Sequence, residues 1–290
     1  MRRMSRTTTV LFLAPALLML VAFVLLPALW GVYVSFTDVA LTGPKALNFG
    51  LVGLKNYVRL FTDPDFYNSL VLSFEYMALT NVGQFALGLA TALILTGRHI
   101  KWQGVLLAAI VLPMVIPGIT QALMWSSMLA VKEFGTLNRI IGLVGLQAVN
   151  WLHSAPMLSI SLVNFWNNSG FAMILFLAGL ESIPHELLEA ATIDGAGSLQ
   201  LLLRVKLPLI RYVVLLWLIL NTVGCLGMFD LVFALTGGGP GTSTELLGLY
   251  VYDRGFKYFE LGYGSAAAIV MLGISLVFAV VYVRMMRVEL

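Results

Sequence analysis

The chain has 290 residues, of which 60% are hydrophobic and 11% are charged, and its mean hydropathy is +0.94. A soluble domain carries about 25% charged residues, so this composition predicts that the bilayer solvates much of the chain. The formal net charge of +3 is spread along the sequence, without the basic patch that nucleic-acid binding requires. The single cysteine, Cys225, excludes an intrachain disulfide and a cysteine-built metal site.

The sequence predicts a short cytoplasmic N-terminus, residues 1–9, followed by one transmembrane domain, residues 10–290. The first apolar run is longer than the apolar core of a secretory signal, which is about 7–15 residues, so it is predicted to be an uncleaved span. Six windows reach the roughly 20 apolar residues that a crossing needs. Residues 125–156 are left open, as an extension of the third span or as an interfacial segment. The predicted spans are 10–34, 70–96, 105–124, 157–180, 209–232 and 264–283.

An even number of spans puts both termini on one side of the membrane. If that side is the cytoplasm, the inside segments with Arg211 hold ten Lys and Arg residues, and the longer outside segments hold seven. Basic residues are then about twice as dense inside, as the positive-inside rule requires. The sequence therefore predicts a multi-pass protein with both termini in the cytoplasm. The inside segments are 1–9, 97–104, 181–208 and 284–290, and the outside segments are 35–69, 125–156 and 233–263.

A polar segment, residues 181–208, lies between the fourth and fifth predicted spans. It is far longer than the few residues that usually join packed helices. Pro184 can start a helix there, Glu189 suits its first turns, and Gly195 ends it. A second helical stretch leads to Pro208, where the fifth span is predicted to start. These residues fit a solvated linker, or a surface that a cytoplasmic partner binds.

The motifs Glu189-Ala190-Ala191, Asp194-Gly195-Ala196 and Leu207-Pro208 resemble, in order and spacing, the cytoplasmic signature of the membrane subunits of bacterial ABC importers. The resemblance implies an all-α membrane protein with six transmembrane helices, of the type I ABC importer permease architecture. In that family the first short helix of the loop is a coupling helix that docks on the ATPase. The residues implied to couple to the ATPase are Glu189, Ala190, Ala191, Asp194, Gly195, Leu207 and Pro208.

The resemblance also implies the partners of the chain. They are a second homologous permease, two ATPase subunits, an extracytoplasmic solute-binding protein and the lipid bilayer. The chain itself is then not an enzyme and holds no cofactor, since ATP and Mg bind to the partner ATPase. No phosphate-binding loop is present in the sequence, which agrees with that division of labour. The implied location is the bacterial cytoplasmic membrane.

Further motifs resemble the carbohydrate and glycerol-phosphate branch of these importers. They include Gly53-Leu54-Lys55-Asn56-Tyr57 in the first external loop, Phe229-Asp230, and Gly238-Gly239-Pro240. This resemblance implies a sugar or sugar-like solute. It makes Gly238, Gly239 and Pro240 candidates for contact with the binding protein, although a plain connecting turn fits them equally.

Polar residues inside the predicted spans are candidates for the solute path. Two are ionisable, Glu75 and Asp230, and a charge inside a bilayer costs about 2.5–3.5 kcal/mol on insertion scales. The fourth span carries amides and an aromatic ring, which suit sugar hydroxyl groups, but amides also serve as hydrogen bonds between helices. The span-four candidates are Asn164, Trp166, Asn167 and Asn168.

Two other functions fit parts of the sequence. An ion-coupled secondary transporter would use Glu75 or Asp230 as its proton carrier, but the polar segment 181–208 and the lack of clear inverted repeats argue against it. An ABC permease for a solute other than a sugar would share the same loop. The histidines, His99, His153 and His185, show no ligand spacing, so no metal site is expected.

Overall fold

The computed structural model describes residues 6–96, 102–131 and 135–287, and only the backbone of residues 6–11 and 287. His99 lies outside these residues, as do parts of the predicted segments 1–9, 97–104, 125–156 and 284–290.

The described residues are helical almost throughout, with one isolated β-bridge, Thr37 to Leu51, and no strand. The chain divides into two compact units. The first is Met1–Phe66 with Tyr250–Gly273, and the second is Tyr67–Leu249 with Ile274–Leu290. The α-helices, in chain order, are α1 (Arg6–Leu20), α2 (Leu26–Ser35), α3 (Lys55–Leu60), α4 (Pro64–Leu95), α5 (Gln103–Val115), α6 (Gly118–Met128), α7 (Thr136–Leu143), α8 (Trp151–Ser154), α9 (Pro156–Glu181), α10 (His185–Ile193), α11 (Ser198–Gln200), α12 (Leu207–Leu209), α13 (Arg211–Leu226), α14 (Asp230–Leu235), α15 (Leu247–Tyr252) and α16 (Leu261–Arg287).

Four helical segments are long and apolar enough to cross a membrane, and they overlap the predicted first, second, fourth and sixth spans. Two further crossings are formed if each of two bent helix pairs is one span, which gives six in all. The four segments are Phe12–Ser35, Pro64–Leu95, Pro156–Glu181 and Leu261–Met286.

The third predicted span, 105–124, is not one straight helix. It is broken between α5 and α6 with a bend of 103°. The cause is local: Ile116 is extended (φ −74°, ψ 130°) because it precedes Pro117, which disfavours the helical conformation of the residue before it. The carbonyl of Pro113, which loses its helical partner at the break, accepts a hydrogen bond of 2.7 Å from the Gln121 side chain.

The fifth predicted span, 209–232, also differs from the structure. The helical segment Ser198–Leu209 already contains Pro208, and a 70° bend separates it from α13. Residues Leu201–Lys206 form a π-helix, a widening that fits Pro208, which has no N–H to bond a carbonyl four residues earlier. At its other end α13 stops at Leu226, so Asp230 begins the separate short helix α14 rather than lying inside a span.

The described residues of the segment 125–156 form the end of α6, two short helices, α7 and α8, and the first residue of α9. The Asn138 side chain links parts of this segment, because its nitrogen donates to the carbonyls of Ala130 (2.9 Å) and Val149 (3.0 Å). Its side-chain oxygen accepts from the Trp151 indole at 3.1 Å.

The core of the second unit is an apolar cluster where α4, α9 and α13 meet. Phe176 lies at its centre, with ring centroids 5.4 Å from Trp217 and 5.5 Å from Phe85. Its buried members are Leu89, Ala92, Leu95, Ala172, Met173, Phe176, Leu177, Leu180, Ile183, Ile210 and Trp217.

A charged network around Asp63 links the two sequence segments of the first unit. One oxygen of this carboxylate accepts hydrogen bonds of 2.8 Å from the hydroxyls of Tyr250 and Tyr263, and Arg254 lies 3.5 Å from it and 2.8 Å from Asp65. Burial alone would raise the pKa of Asp63, but the two hydroxyls, the Asp65 backbone N–H and the Arg254 charge together hold that pKa below its ordinary value. Burial and the hydrogen bonds with Tyr263 and Asp63 raise the pKa of Tyr250, against the charge of Arg254, which lowers it.

Candidate functional site

No residue of the loop helix α10 is fully buried, and seven of its nine residues are exposed. Pro184 precedes it as N-cap and Glu186 lies in its first turn, where a carboxylate favours the helix dipole. Two large apolar side chains point into solvent, Ile193 at 85% and Leu187 at 47% of their full exposure. Both side chains are accessible to another protein.

Gly195 closes this helix in the way that the sequence predicts. Its φ is +85°, a left-handed conformation that glycine adopts without steric cost. The N–H of Gly195 bonds the carbonyl of Thr192 and the N–H of Ala196 bonds that of Ala191, both at 3.0 Å. This pair of bonds is the Schellman motif, so the turn and the end of α10 are one hydrogen-bonded unit.

The loop is anchored on the core of the second unit. Leu188 and Leu207 pack against the apolar cluster, to which Ile183 and Ile210 at the two ends of the loop belong. The loop helix α10 is therefore in direct contact with the side chains that pack between α4, α9 and α13.

The predicted coupling residues lie along this loop. Glu189, Ala190, Asp194 and Gly195 are exposed and Ala191 is half-buried. An open groove of about 390 Å³ runs along the helix. Its lining residues are His185, Leu188, Glu189, Thr192 and Ile193.

A second feature of the same unit is a polar cavity of about 210 Å³ between α5, α6, α9 and α14. It brings together three of the predicted path residues, Asn164, Asn168 and Asp230. Gly118, at the start of α6, also lines it, and a Cβ there would lie 1.8 Å from a carboxylate oxygen of Asp230. A side chain at position 118 would therefore displace the Asp230 carboxylate from the cavity. The sequence did not predict this contact, and Pro117-Gly118 was its only signal.

The other predicted path residues are not in this cavity. Trp166 is half-exposed and lines two apolar grooves of about 330 and 410 Å³. Asn167 donates 2.8 Å to Gln121 and accepts from the Trp125 indole at 3.4 Å, so it supports the break between α5 and α6. Glu75 is exposed on α4 and does not line the cavity.

The glycine-rich turn folds around Thr244. The Thr244 hydroxyl bonds the carbonyl of Gly239 at 2.9 Å, and its N–H bonds that of Gly238 at 3.0 Å. Gly238 is buried, Gly239 is half-buried and Pro240 is exposed. Of the three predicted contacts to a binding protein, Pro240 is the one that a partner can reach directly.

Among residues 6–96, 102–131 and 135–287, no three His, Cys, Asp or Glu side chains gather as metal ligands would.

Comparison with known proteins gives a consistent set of relatives. The model of the family described as binding-protein-dependent transport system inner membrane component matches residues 84–287. The sulfoquinovosyl glycerol transport system permease protein SmoG of Agrobacterium fabrum is 33% identical over 98% of this chain and 91% of its own length. The trehalose/maltose transport system permease protein MalF of Thermococcus litoralis is 35% identical over 96% of this chain and 92% of its own.

The fold is also found among solved structures. A chain of a bacterial alginate ABC transporter, in complex with an alginate pentasaccharide-bound periplasmic protein, superposes with a TM-score of 0.79 at 23% identity. The match covers 95% of this chain and 92% of that one. The architecture, all-helical with the type I arrangement of importer permeases, is therefore as the sequence predicts.

Proposed function

Because the chain belongs to the family of binding-protein-dependent transport system inner membrane components, we propose that it is the permease subunit of an ATP-driven importer for a sugar or sugar-like solute. One observation supports this proposal above the others: an exposed helix, α10, closed by Gly195 and anchored on the core between the membrane helices. The relatives named for sugar uptake support the class of solute.

The chain acts together with three kinds of partner. A second homologous permease completes the path, two ATPase subunits bind ATP with Mg, and an extracytoplasmic binding protein delivers the solute. The ATPases dock on the cytoplasmic loop at Glu189–Gly195, and their closure moves α10. Because Leu188 and Leu207 fix the loop to the apolar cluster, the membrane helices follow and the path opens outward.

The cavity gives the solute its contacts. The side-chain oxygen of Asn164 accepts from Gln84 at 2.9 Å, and the side-chain nitrogen of Asn168 donates to the backbone oxygen of Asn164 at 3.2 Å. These bonds leave the Asn168 oxygen as an acceptor for a hydroxyl group. The exposed carboxylate of Asp230 is a further acceptor. These hydrogen-bond acceptors in the cavity suit a hydroxyl-rich solute better than an anion.

The coupling role is tested by a matched pair of glycine variants. Gly195→Ala forces a side chain into a left-handed turn, which costs about 1–2 kcal/mol. Gly197→Ala, two residues on, meets open space at an ordinary φ of −70°. A strain lacking the chain is grown on a panel of sugars and polyols, and the compound whose use is lost becomes the probe for radiolabelled uptake.

The expected result is that Gly195→Ala loses most of its uptake per ATP hydrolysed, and that Gly197→Ala keeps the wild-type ratio. Charge reversal by Glu189→Lys should also lower the ratio. Wild-type uptake in both Gly195→Ala and Glu189→Lys, with the proteins present in the membrane, would remove the coupling role from α10.

A further inference from the structure

Over residues 76–95 of α4, the first half of the buried face carries polar side chains. Tyr76, Thr80 and Gln84 recur at intervals of four residues, which places them on one side of a helix, and each is at most 1% exposed. Ser161 and Asn164 lie on the facing helix α9 and are 1% and 2% exposed. We call these five residues the α4–α9 polar seam.

The two helices run in the same direction, so residues of α4 and α9 can be compared by their depth along the helix pair. A Cβ on Gly83 would touch the Phe165 ring at 2.5 Å, and one on Gly88 would touch Ala172 at 2.6 Å, so residue numbers rise together along both helices. One turn back from this contact, Thr80 on α4 and Ser161 on α9 therefore lie at the same depth.

Four atoms of the seam have no hydrogen-bond partner within the described part of the chain: the Tyr76 hydroxyl, Thr80 Oγ1, Gln84 Oε1 and Ser161 Oγ. The Tyr76 hydroxyl lies close enough to the side chains of Thr80 and Asn164 to interact with both, but neither contact has the distance and angles of a hydrogen bond. Gln84 reaches Asn164 through its nitrogen at 2.9 Å, which leaves its oxygen without a donor.

Hydroxyl groups in apolar helices normally satisfy themselves by bonding a carbonyl one turn earlier. Thr91 on α4 and Thr96, directly after the end of α4, do so at 2.7 Å each. Thr80 and Ser161 do not. Four fully buried and unpaired polar atoms would together cost free energy comparable with the whole stability of a small domain, so a ligand that both donates and accepts hydrogen bonds is required.

We propose that the α4–α9 polar seam binds water, and that this water extends the polar surface of the Asn164 cavity between the two helices. Asn164 belongs to both places, because it lines the cavity and bonds Gln84 in the seam. Water is the ligand that fits, since a buried water makes two to four hydrogen bonds to such groups. The inference depends on the geometry of α4 and α9 and not on the identity of the solute.

Cysteine accessibility tests the seam in host membranes. Cys225, the single cysteine, is replaced by alanine, and Thr80→Cys, Ala92→Cys or Asn168→Cys is added to the tagged full chain. Thr80 and Ala92 are both 0% exposed on the same helix, but Ala92 lies in the apolar cluster. Because only a hydrated thiol ionises readily, Thr80→Cys should react with a small hydrophilic thiol reagent faster than Ala92→Cys, by a factor on the order of ten.

Each outcome separates this inference from the proposed function. Reaction at Thr80→Cys and Asn168→Cys supports a hydrated seam joined to an aqueous path. Reaction at Asn168→Cys alone overturns the seam and leaves the path in place. If Asn168→Cys and Thr80→Cys both stay as unreactive as Ala92→Cys, the seam is dry and the cavity is not part of the path.

A second measurement uses the unaltered protein and so does not depend on how the variants fold. Radiolytic footprinting in ¹⁸O-labelled water marks side chains next to bound water even when they are buried. Tyr76 should take up the label several-fold faster than Phe176, which is equally buried but lies among apolar residues. Equal labelling of the two rings would overturn the proposal.

Discussion

Over residues 76–95 of α4, the buried face is polar in its first half, at Tyr76, Thr80 and Gln84, and apolar in its second half, at Ala92 and Leu95. The apolar half packs around Phe176 and Trp217, next to the anchors of the loop helix α10, and the polar half adjoins the cavity at Asn164.

The two halves are therefore suited to different functions. Close packing is stiff and transmits displacement, which suits the end where α10 is attached. A hydrated interface exchanges its hydrogen bonds at little cost, which suits the end where a path has to open. The effects of substitutions on the free energy of unfolding should therefore differ in size and in sign between the two halves.

The largest expected effect is in the apolar half. Phe176→Ala removes a fully buried ring at the centre of the cluster. The free energy of unfolding should fall by about 3 kcal/mol, the lower end for such truncations, because lipid-facing helices lack the transfer term that water provides. Unfolding of the purified protein in detergent measures it, with Val82→Ala on the exposed face of α4 as a control that stays near the wild type. Equal losses in the two variants would show that this cluster is not the core.

The next effect comes from close packing between α4 and α9. Gly88→Ala places a Cβ 2.6 Å from that of Ala172 and 3.1 Å from the backbone nitrogen of Met173. The helices must separate, so stability should fall by about 1–3 kcal/mol. Gly224→Ala in α13 meets open space and should gain up to about 1 kcal/mol from its helix propensity. A stabilising Gly88→Ala would contradict the close contact.

A smaller effect, with an informative sign, is expected in the polar half. If the Tyr76 hydroxyl binds water, Tyr76→Phe should lower the free energy of unfolding by about 0.5–1.5 kcal/mol. If the seam is dry, the same change removes an unpaired buried group and stabilises the protein. The same unfolding assay gives the sign directly.

The smallest effect on stability at neutral pH is expected in the charged network of the first unit. Here the stabilising group is an ionised side chain, in contrast to the apolar and neutral polar groups of α4. The pKa of Asp63 is lowered, so the ionised carboxylate stabilises the folded state above its unfolded pKa of about 3.9. That contribution is lost as the pH falls through the lower folded value. Asp63→Asn should therefore have a lower melting temperature than the wild type at pH 7, and the difference should shrink below about pH 4. A difference that is the same at both pH values would mean that the charge of Asp63 is not what stabilises the unit.

Sequence reasoning was most successful where the cause is local. Apolar windows located the membrane helices because a crossing needs a long apolar run, and Gly195 marked the end of α10 because its left-handed turn needs glycine. Helix ends were predicted less accurately: α13 stops at Leu226, before the predicted end of the fifth span, and the third predicted span bends by 103° at Pro117.

The cavity was predicted only in part, because it depends on which helix faces which. Asn164 and Asn168 share one side of α9 and line the cavity, whereas Asn167, between them in sequence, points to Gln121. No pattern within one helix distinguishes these three amides. Tyr76 and Thr80 were missed, although their four-residue spacing with Gln84 was visible and would have placed them on one face.

The most direct test of the central claim is to purify the tagged full chain from its own host in mild detergent and to identify its partners by mass spectrometry. A permease subunit predicts recovery of a second membrane protein of the same family, an ATPase with a phosphate-binding loop and a solute-binding protein. Recovery of the chain alone, with uptake that a protonophore abolishes and ATP depletion does not, would contradict the importer and favour an ion-coupled transporter.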